Sequence, residues 1–350
     1  MSKTSTNSKK TLLSGVKPTG KPHIGNYFGA MKQWVDLQNN PEFTGDKAQK
    51  FFMIADYHAL NFIQNAAEMK QNIIDLALDY LAIGIDPKQS IIFKQSDISA
   101  HTELAWIFDT ITTMPYLQRA HAYKDAEAKN KEISVGAFNY PMLMCADILL
   151  YDVDIVPVGQ DQKQHVEYAR DTAIKFNHIF GGEKDKDNNP TSPVFKLPEP
   201  MIMESVATVP GLDGRKMSKS YGNTIPLFAS YDEIKKAVMS IVTDAGLGAV
   251  AADGTVSDGI PKNIYEIHKL IKPEAELKPL YEANKGKYKA LKDALVEDLE
   301  AFIKPMRERR ALLAQDNDLV MQVLADGASR ARMQAEKRLA AAKQAVGVSF

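Results

Sequence analysis

Two rhythms of apolar and polar positions alternate along the first two thirds of this chain. Short, mainly apolar runs at residues 12–16 (Leu12, Leu13, Val16), 51–55, 91–94 and 155–158 read as buried strands. Between them the apolar residues recur at three and four. They do so at Tyr27, Phe28, Met31, Trp34 and Val35, at Met69, Ile73, Leu76, Tyr80 and Ile83, and at Leu104, Ile107, Phe108 and Ile111. Residues 140–150 form a further apolar helix carrying one acid, and Asp86-Pro87 should break the helix before it. Strands alternating with helices predict an α/β fold, a Rossmann-type doubly wound parallel sheet. Past about residue 225 the strand signals fade. Leu291, Leu295, Leu299 and Phe302 mark one long helix, and an Ala-, Arg- and Lys-rich helix is expected over roughly 330–345. The expected division is a flexible tail at 1–10, an α/β domain at 11–224 and a C-terminal helical domain at 225–350.

The first βα unit, TLLSGVKPTGKPHIGNYFGA at residues 11–30, carries the first chemistry. A strand leads through a tight loop to a helix that starts at His23-Ile24-Gly25-Asn26. The N–H groups of such a helix start suit phosphates. Residues 15–21 spell most of a P-loop, but the next residue is Pro22, which has no hydroxyl for magnesium and no N–H. That reading is rejected. Far downstream, a glycine-rich turn precedes Lys216-Met217-Ser218-Lys219-Ser220, where two lysines three apart suit a polyphosphate.

Composition narrows the classes. A net charge of −1 over 350 residues gives no global basic field, so any nucleic-acid contact must be a local patch. Cys145 is the one cysteine, which excludes an internal disulfide, and the seven histidines show no metal-ligand spacing. There is no secretory pattern at residues 1–10 and no apolar run long enough to span a membrane, so a cytoplasmic protein is expected. At 183–193 the residues Asp185, Asp187 and Asn189 mimic a calcium loop, but Pro190 stands where glycine is needed. A solvated loop is expected there.

Tyr140, Met144 and Asp147 share one helix face. A carboxylate inside MLMCADILL wants a donor, and from the residues alone a protein partner and a ligand stand equal. Gly159-Gln160-Asp161-Gln162 lies where a strand gives way to a helix, the usual ligand edge of an open sheet. Helix capping by Asp161 is the plainer reading.

The pair formed by residues 23–26 and 216–220 resembles the histidine–glycine and KMSKS signatures of class I aminoacyl-tRNA synthetases. Residues 140–171 are similar to the corresponding block of the tryptophanyl-tRNA synthetase family, and residues 285–313 to its anticodon-side helices. The likeness covers about residues 11–310. It implies a ligase that activates L-tryptophan with ATP and Mg²⁺ and transfers it to tRNA(Trp), with the metal carried by ATP. It implies His23, Asn26, Lys216, Ser218 and Lys219 at the reacting phosphates. Lys17, Pro18, Thr19, Gly25, Asn26, Lys124, Gly159, Gln160, Asp161 and Val209 would contact ATP, together with Lys216, Met217, Ser218, Lys219 and Ser220. Tyr140, Met144, Asp147, Gln162 and His58 would hold tryptophan, with Asp147 accepting the indole N–H and Met144 packing on the ring. Lys17, Asn26 and Gln160 stand where many members carry Gln, His and Glu. Tyrosine-specific relatives usually have Gln at the position of Met144, and a thioether suits indole better than phenol. The alternatives are a tyrosine enzyme, a small nucleotidyltransferase and a catalytically idle RNA-binding paralogue. The resemblance also implies a homodimer, partly through the helix near 101–112, and a basic face from Lys285, Lys287, Lys289, Arg307, Arg309 and Arg310.

Overall fold

The computed structural model describes residues 10–43, 48–120, 123–124, 127, 132–159, 163–202, 209–243 and 258–349. Strands β1 (Lys10–Val16), β2 (Ala48–Ile54), β3 (Ile91–Lys94), β4 (Ile155–Val158) and β5 (Glu199–Ile202) form one sheet in the order β3-β2-β1-β4-β5. All pairings are parallel. Successive side chains enter opposite faces: Leu12, Phe52 and Ile92 join one apolar cluster, and Leu13, Phe51, Ile91 and Phe93 the other. A sheet buried on both faces favours such apolar-rich runs, which is why the strands were legible.

Helix α1 starts at Ile24–Asn26, passes through a π-helical turn at Tyr27–Met31 and ends as Lys32–Asn39. It and α2 (Ala66–Ala82) cover the first face. Helices α3 (Ala100–Ile111), α4 (Val135–Leu149) and α5 (Lys163–Phe180) cover the second. Helix α2 ends before Asp86-Pro87, because Gly84 turns the chain at φ +107°. Lys10 belongs to β1 rather than to a tail, and β5 was not expected from the pattern. The stretch 119–133 lies largely outside the described residues.

The helical part consists of α6 (Tyr231–Met239), α7 (Lys262–His268), α8 (Glu274–Ala283), α9 (Tyr288–Leu313) and α10 (Asn317–Ala345). Helix α9 seats on the α/β part through Phe302, stacked on Phe28 with ring centroids 5.4 Å apart. Arg310 pairs with Asp75 at 2.7 Å and Asp79 at 2.5 Å, and Arg309 donates to the Ala82 carbonyl at 3.2 Å. Arg307 binds Glu300 and the Ala229 carbonyl. These three arginines hold the protein together. The expected basic face is corrected for Arg307 and Arg310, whose charge is offset by Glu300, Asp75 and Asp79, whereas Arg309 is exposed and keeps its charge.

Helix α10 is longer than expected and begins at Asn317, not near 330. It runs over the outer edge of β3. Val320 and Leu324 lie in the first cluster, and Ala328, Ala331, Ala335, Leu339 and Ala342 in the second. Gly327 marks the crossing, where a Cβ would fall 1.8 Å from the Ile92 carbonyl oxygen. Beside it Arg330 donates to the Pro87 carbonyl at 3.0 Å. The helix thereby covers an edge strand that would otherwise invite pairing. Gly327→Ala should lose about 1–3 kcal/mol by overpacking, despite about 1 kcal/mol of helix propensity gained. Urea unfolding with an unchanged or higher midpoint would show that the helix is not seated so closely.

Candidate active site

The chain leaves β1 toward β2 on one side and β4 toward β5 on the other, which makes their C-terminal ends a topological switch point. The loop after β1 is pinned to the segment following the KMSKS pentapeptide. Ile24 N–H donates to the Ile225 carbonyl at 3.0 Å and Leu227 N–H to the Pro22 carbonyl at 3.0 Å. Asn26 N–H and Tyr27 N–H both donate to the His23 carbonyl, at 2.9 and 3.2 Å. The helix start is therefore not the open row of N–H donors expected from the sequence, and side chains must supply most of the anion binding. Asn26 Oδ1 accepts the His23 N–H at 3.0 Å, which leaves the two Nδ2 donors as its remaining capacity.

His23 is buried, and its Nδ1 finds no partner among the described residues. Burial, aided by the charge of Lys219, lowers its pKa to about 4, so the imidazole is neutral at pH 7. Lys219 Nζ donates to the Thr19 carbonyl at 3.0 Å, across 200 residues of sequence. Lys17 Nζ lies 4.4 Å from the Phe62 ring centroid, a cation–π contact at the exposed rim. Pro18 is buried between them. A Cβ on Gly25 would come within 2.9 Å of His23 Nδ1 and 3.3 Å of Met217 Cβ, so glycine lets the two loops meet.

Asn223 organises the KMSKS loop, and nothing in the sequence singled it out. Buried, it accepts the Ser218 N–H at 2.8 Å and donates to Asp213 at 2.6 Å and to the Lys216 carbonyl at 3.3 Å. Met217 is buried, with its N–H on the Val209 carbonyl at 2.9 Å. Its neighbours Lys216, Lys219 and Ser220 are exposed, and Ser218 Oγ lies 2.9 Å from Ser220 Oγ. One buried anchor thus holds a loop whose Lys219 reaches the loop after β1, with Lys216 exposed on the same segment.

A second cluster forms around Asp147, which is 2% exposed. His58 Nε2 lies 2.8 Å from Oδ2. Gln95 Nε2 and His101 Nδ1 each lie 2.7 Å from Oδ1, and Tyr151 OH lies 2.8 Å from His101 Nε2. Burial pushes this carboxyl up, but the hydrogen bonds and charge of His101 and His58 outweigh it and hold the pKa at about 2. Of the two readings left open, the protein partner is present, and one carboxylate oxygen keeps spare acceptor capacity. Half-buried Tyr140 faces this cluster edge-on, its ring centroid 6.3 Å from that of His58, and its hydroxyl lies 3.4 Å from His165 Nε2. Met144 is half-buried on the same helix.

Gly159 follows β4, while Gln160, Asp161 and Gln162 lie outside the described residues. Lys124 is exposed and joins neither cluster among the described residues. Gln95 and His101 escaped the sequence reading because each sits in an unremarkable strand end or helix whose partner is about 50 residues away. Among the described residues no group of three or more His, Cys, Asp or Glu comes together to hold a metal ion. Nor is any helix among them long and apolar enough to cross a membrane. In the loop at 183–193, Asp185 accepts the N–H groups of Asp187 and Asn189, each at 2.9 Å, so that carboxylate shapes a turn.

The family described as tRNA synthetases class I (W and Y) matches residues 5–304. A tryptophan–tRNA ligase of Fusobacterium nucleatum is 44% identical over 339 residues, covering 97% of this chain and 98% of that protein. One from Rhodopirellula baltica is 42% identical over 324 residues, covering 92% and 94%. The solved structure of tryptophanyl-tRNA synthetase from Campylobacter jejuni, complexed with ADP and tryptophan, superposes with a TM-score of 0.82 at 41% identity. That likeness covers 96% of this chain and 99% of the other.

The depressed His23 pKa has a stability consequence. The unfolded chain takes up a proton there below about pH 6.5, whereas the native protein does so only near pH 4. Native stability should therefore fall as pH drops through that window. His23→Asn should remove part of the slope, read as urea midpoints at pH 7 and 5. An identical slope in the variant would mean that His23 titrates normally.

Proposed function

The chain belongs to the class I tRNA synthetases for tryptophan and tyrosine, and from that premise we propose how its residues carry the reaction. Its activity is that of a tryptophan–tRNA ligase. The observation that carries our assignment of the amino-acid pocket is the Asp147 carboxylate, buried, ionised and short of one donor. Indole N–H is a donor only, and it supplies what this oxygen lacks. Tyr140 and Gln162 hold the ammonium group, Met144 packs on the ring, and His58 lines the pocket.

In the first step a tryptophan carboxylate oxygen attacks the α-phosphorus of ATP. The bond from that phosphorus to pyrophosphate breaks, giving tryptophanyl-adenylate. The nucleophile is already ionised, so no side chain acts as base, and catalysis is positioning plus charge stabilisation. Lys219, anchored at the Thr19 carbonyl, and Lys216 take the charge of the departing pyrophosphate, with Ser218. Neutral His23 and the Nδ2 donors of Asn26 bind phosphate oxygens without competing for the lysines' charge. Lys17 adds a cation at the rim. Thr19, Gly25, Val209 and Gly159 line the nucleotide's path. Mg²⁺ carried by the ATP phosphates would supply further neutralisation there. In the second step a ribose hydroxyl of the 3′-terminal adenosine of tRNA(Trp) attacks the adenylate carbonyl and expels AMP. We place a homodimer contact on α3, where Trp106 is 71% exposed.

ATP–pyrophosphate exchange without tRNA, run with each of the twenty amino acids, tests this reading. Exchange with tryptophan alone is expected. Exchange with tyrosine would overturn the pocket assignment, and none at all would overturn the activation chemistry. Lys219→Ala should slow pre-steady-state adenylate formation by about 10²-fold or more while tryptophan affinity stays within about threefold. Unchanged adenylate formation would remove Lys219 from the mechanism.

A further inference from the structure

We propose that Gln95, His101 and Tyr151 are positioning residues that use up one oxygen of Asp147 and leave the other with a single acceptor site for the substrate. The proposal rests on the reading that Asp147 receives the indole N–H.

A carboxylate offers about four acceptor sites, two on each oxygen. Oδ1 takes Gln95 Nε2–H and His101 Nδ1–H, each at 2.7 Å, and is full. Oδ2 takes His58 Nε2–H at 2.8 Å and has one site left. None of these donors can be withdrawn cheaply. Because the carboxylate only accepts, His101 must carry its proton on Nδ1. Its Nε2 is met by the Tyr151 hydroxyl at 2.8 Å, so turning the ring over would break two contacts at once. Turning the Gln95 amide would set its oxygen against Oδ1. The amide is held as it is even though Oε1 finds no partner among the described residues. All three side chains are completely buried. Tyr151 is in turn wedged against Phe51, with ring centroids 4.6 Å apart. None of the three belongs to the substrate-contacting set proposed above.

The selectivity follows from the count. The pocket asks for one donor at Oδ2, and the N–H groups of His58, His101 and Gln95 that reach the carboxylate are already spent on it, which leaves only the second Nε2–H of Gln95 uncommitted to Asp147. Indole N–H brings a donor and no acceptor. A phenol brings a donor together with an oxygen that these committed donors cannot serve, and a benzyl ring brings no donor at all. On this view the choice of tryptophan depends on residues behind the carboxylate as well as on those in contact with the ring.

The experiment compares kcat/KM in pyrophosphate exchange for L-tryptophan and for L-3-benzothienylalanine, in which sulfur replaces the indole N–H. The unmodified protein should favour tryptophan about 10- to 100-fold, the worth of a hydrogen bond to a charged group. Gln95→Met and His101→Phe should cut that preference to within about threefold, chiefly by raising KM for tryptophan, with KM for ATP nearly constant. Tyr151→Phe keeps the ring packing and should give a smaller loss in the same direction. It serves if His101→Phe does not fold. A merely structural role would weaken both substrates equally. An unchanged ratio in folded variants would overturn this proposal while leaving the Asp147 reading intact. No preference in the unmodified protein would overturn both.

Discussion

A carboxylate cut off from water is tolerable only where donors converge on it, and Asp147 gathers its donors from across the α/β part of the chain. His58 follows β2, Gln95 follows β3, His101 lies on α3, and Asp147 itself is on α4. Removing any one donor would leave part of a buried charge uncompensated, which commonly costs several kcal/mol. The arrangement therefore fixes the mutual placement of two strand ends and two helices. Asp56 reinforces it by accepting the Ser96 N–H at 2.9 Å, which ties the ends of β2 and β3 to each other. The proposed specificity pocket and the local stability of the sheet's C-terminal edge would then have the same cause.

The phosphate end is built differently. Its two loops come from distant parts of the chain and meet through backbone hydrogen bonds, with Gly25 leaving room for His23 and Met217. Lys17, Lys216, Lys219 and Asn26 are among the side chains that remain solvent-facing. A stiff base with exposed charges at its surface suits the proposed binding of a polyphosphate and release of pyrophosphate. The two halves of the proposed site thus divide the work: a buried, ionised carboxylate on the amino-acid side, exposed cations on the nucleotide side.

The strands were legible because a sheet buried on both faces favours apolar-rich runs, and the long helices because their period is unmistakable. The strand β5 was not, since Glu199-Pro200-Met201-Ile202 carries neither a run nor an alternation. At the site, residues 23–26 and 216–220 could be read because their chemistry is local in sequence. Asp147 could be read because an acid in an apolar helix is conspicuous. Gln95, His101, Tyr151 and Asn223 could not, because each matters only through a partner that folding brings to it. Arg307, Arg309 and Arg310 were read as a basic face because sequence shows charge and hides the carboxylates and carbonyls opposite. The start of α10 was misjudged because its first turns are polar outside and bury only Val320 and Leu324.

The crossing of α10 over β3 also has a meaning in time. On the ribosome the strand is made more than two hundred residues before the helix that shields it. At about 5–20 residues per second, the nascent sheet waits roughly ten seconds or longer with that edge uncovered. During that interval the growing chain is at its most vulnerable to pairing with a neighbour on the same message. Fast synthesis or a bound chaperone would shorten or guard the interval. Helix α10 thus covers that edge late in synthesis, and damage to it should show first as poor yield of soluble protein rather than as a fault in catalysis.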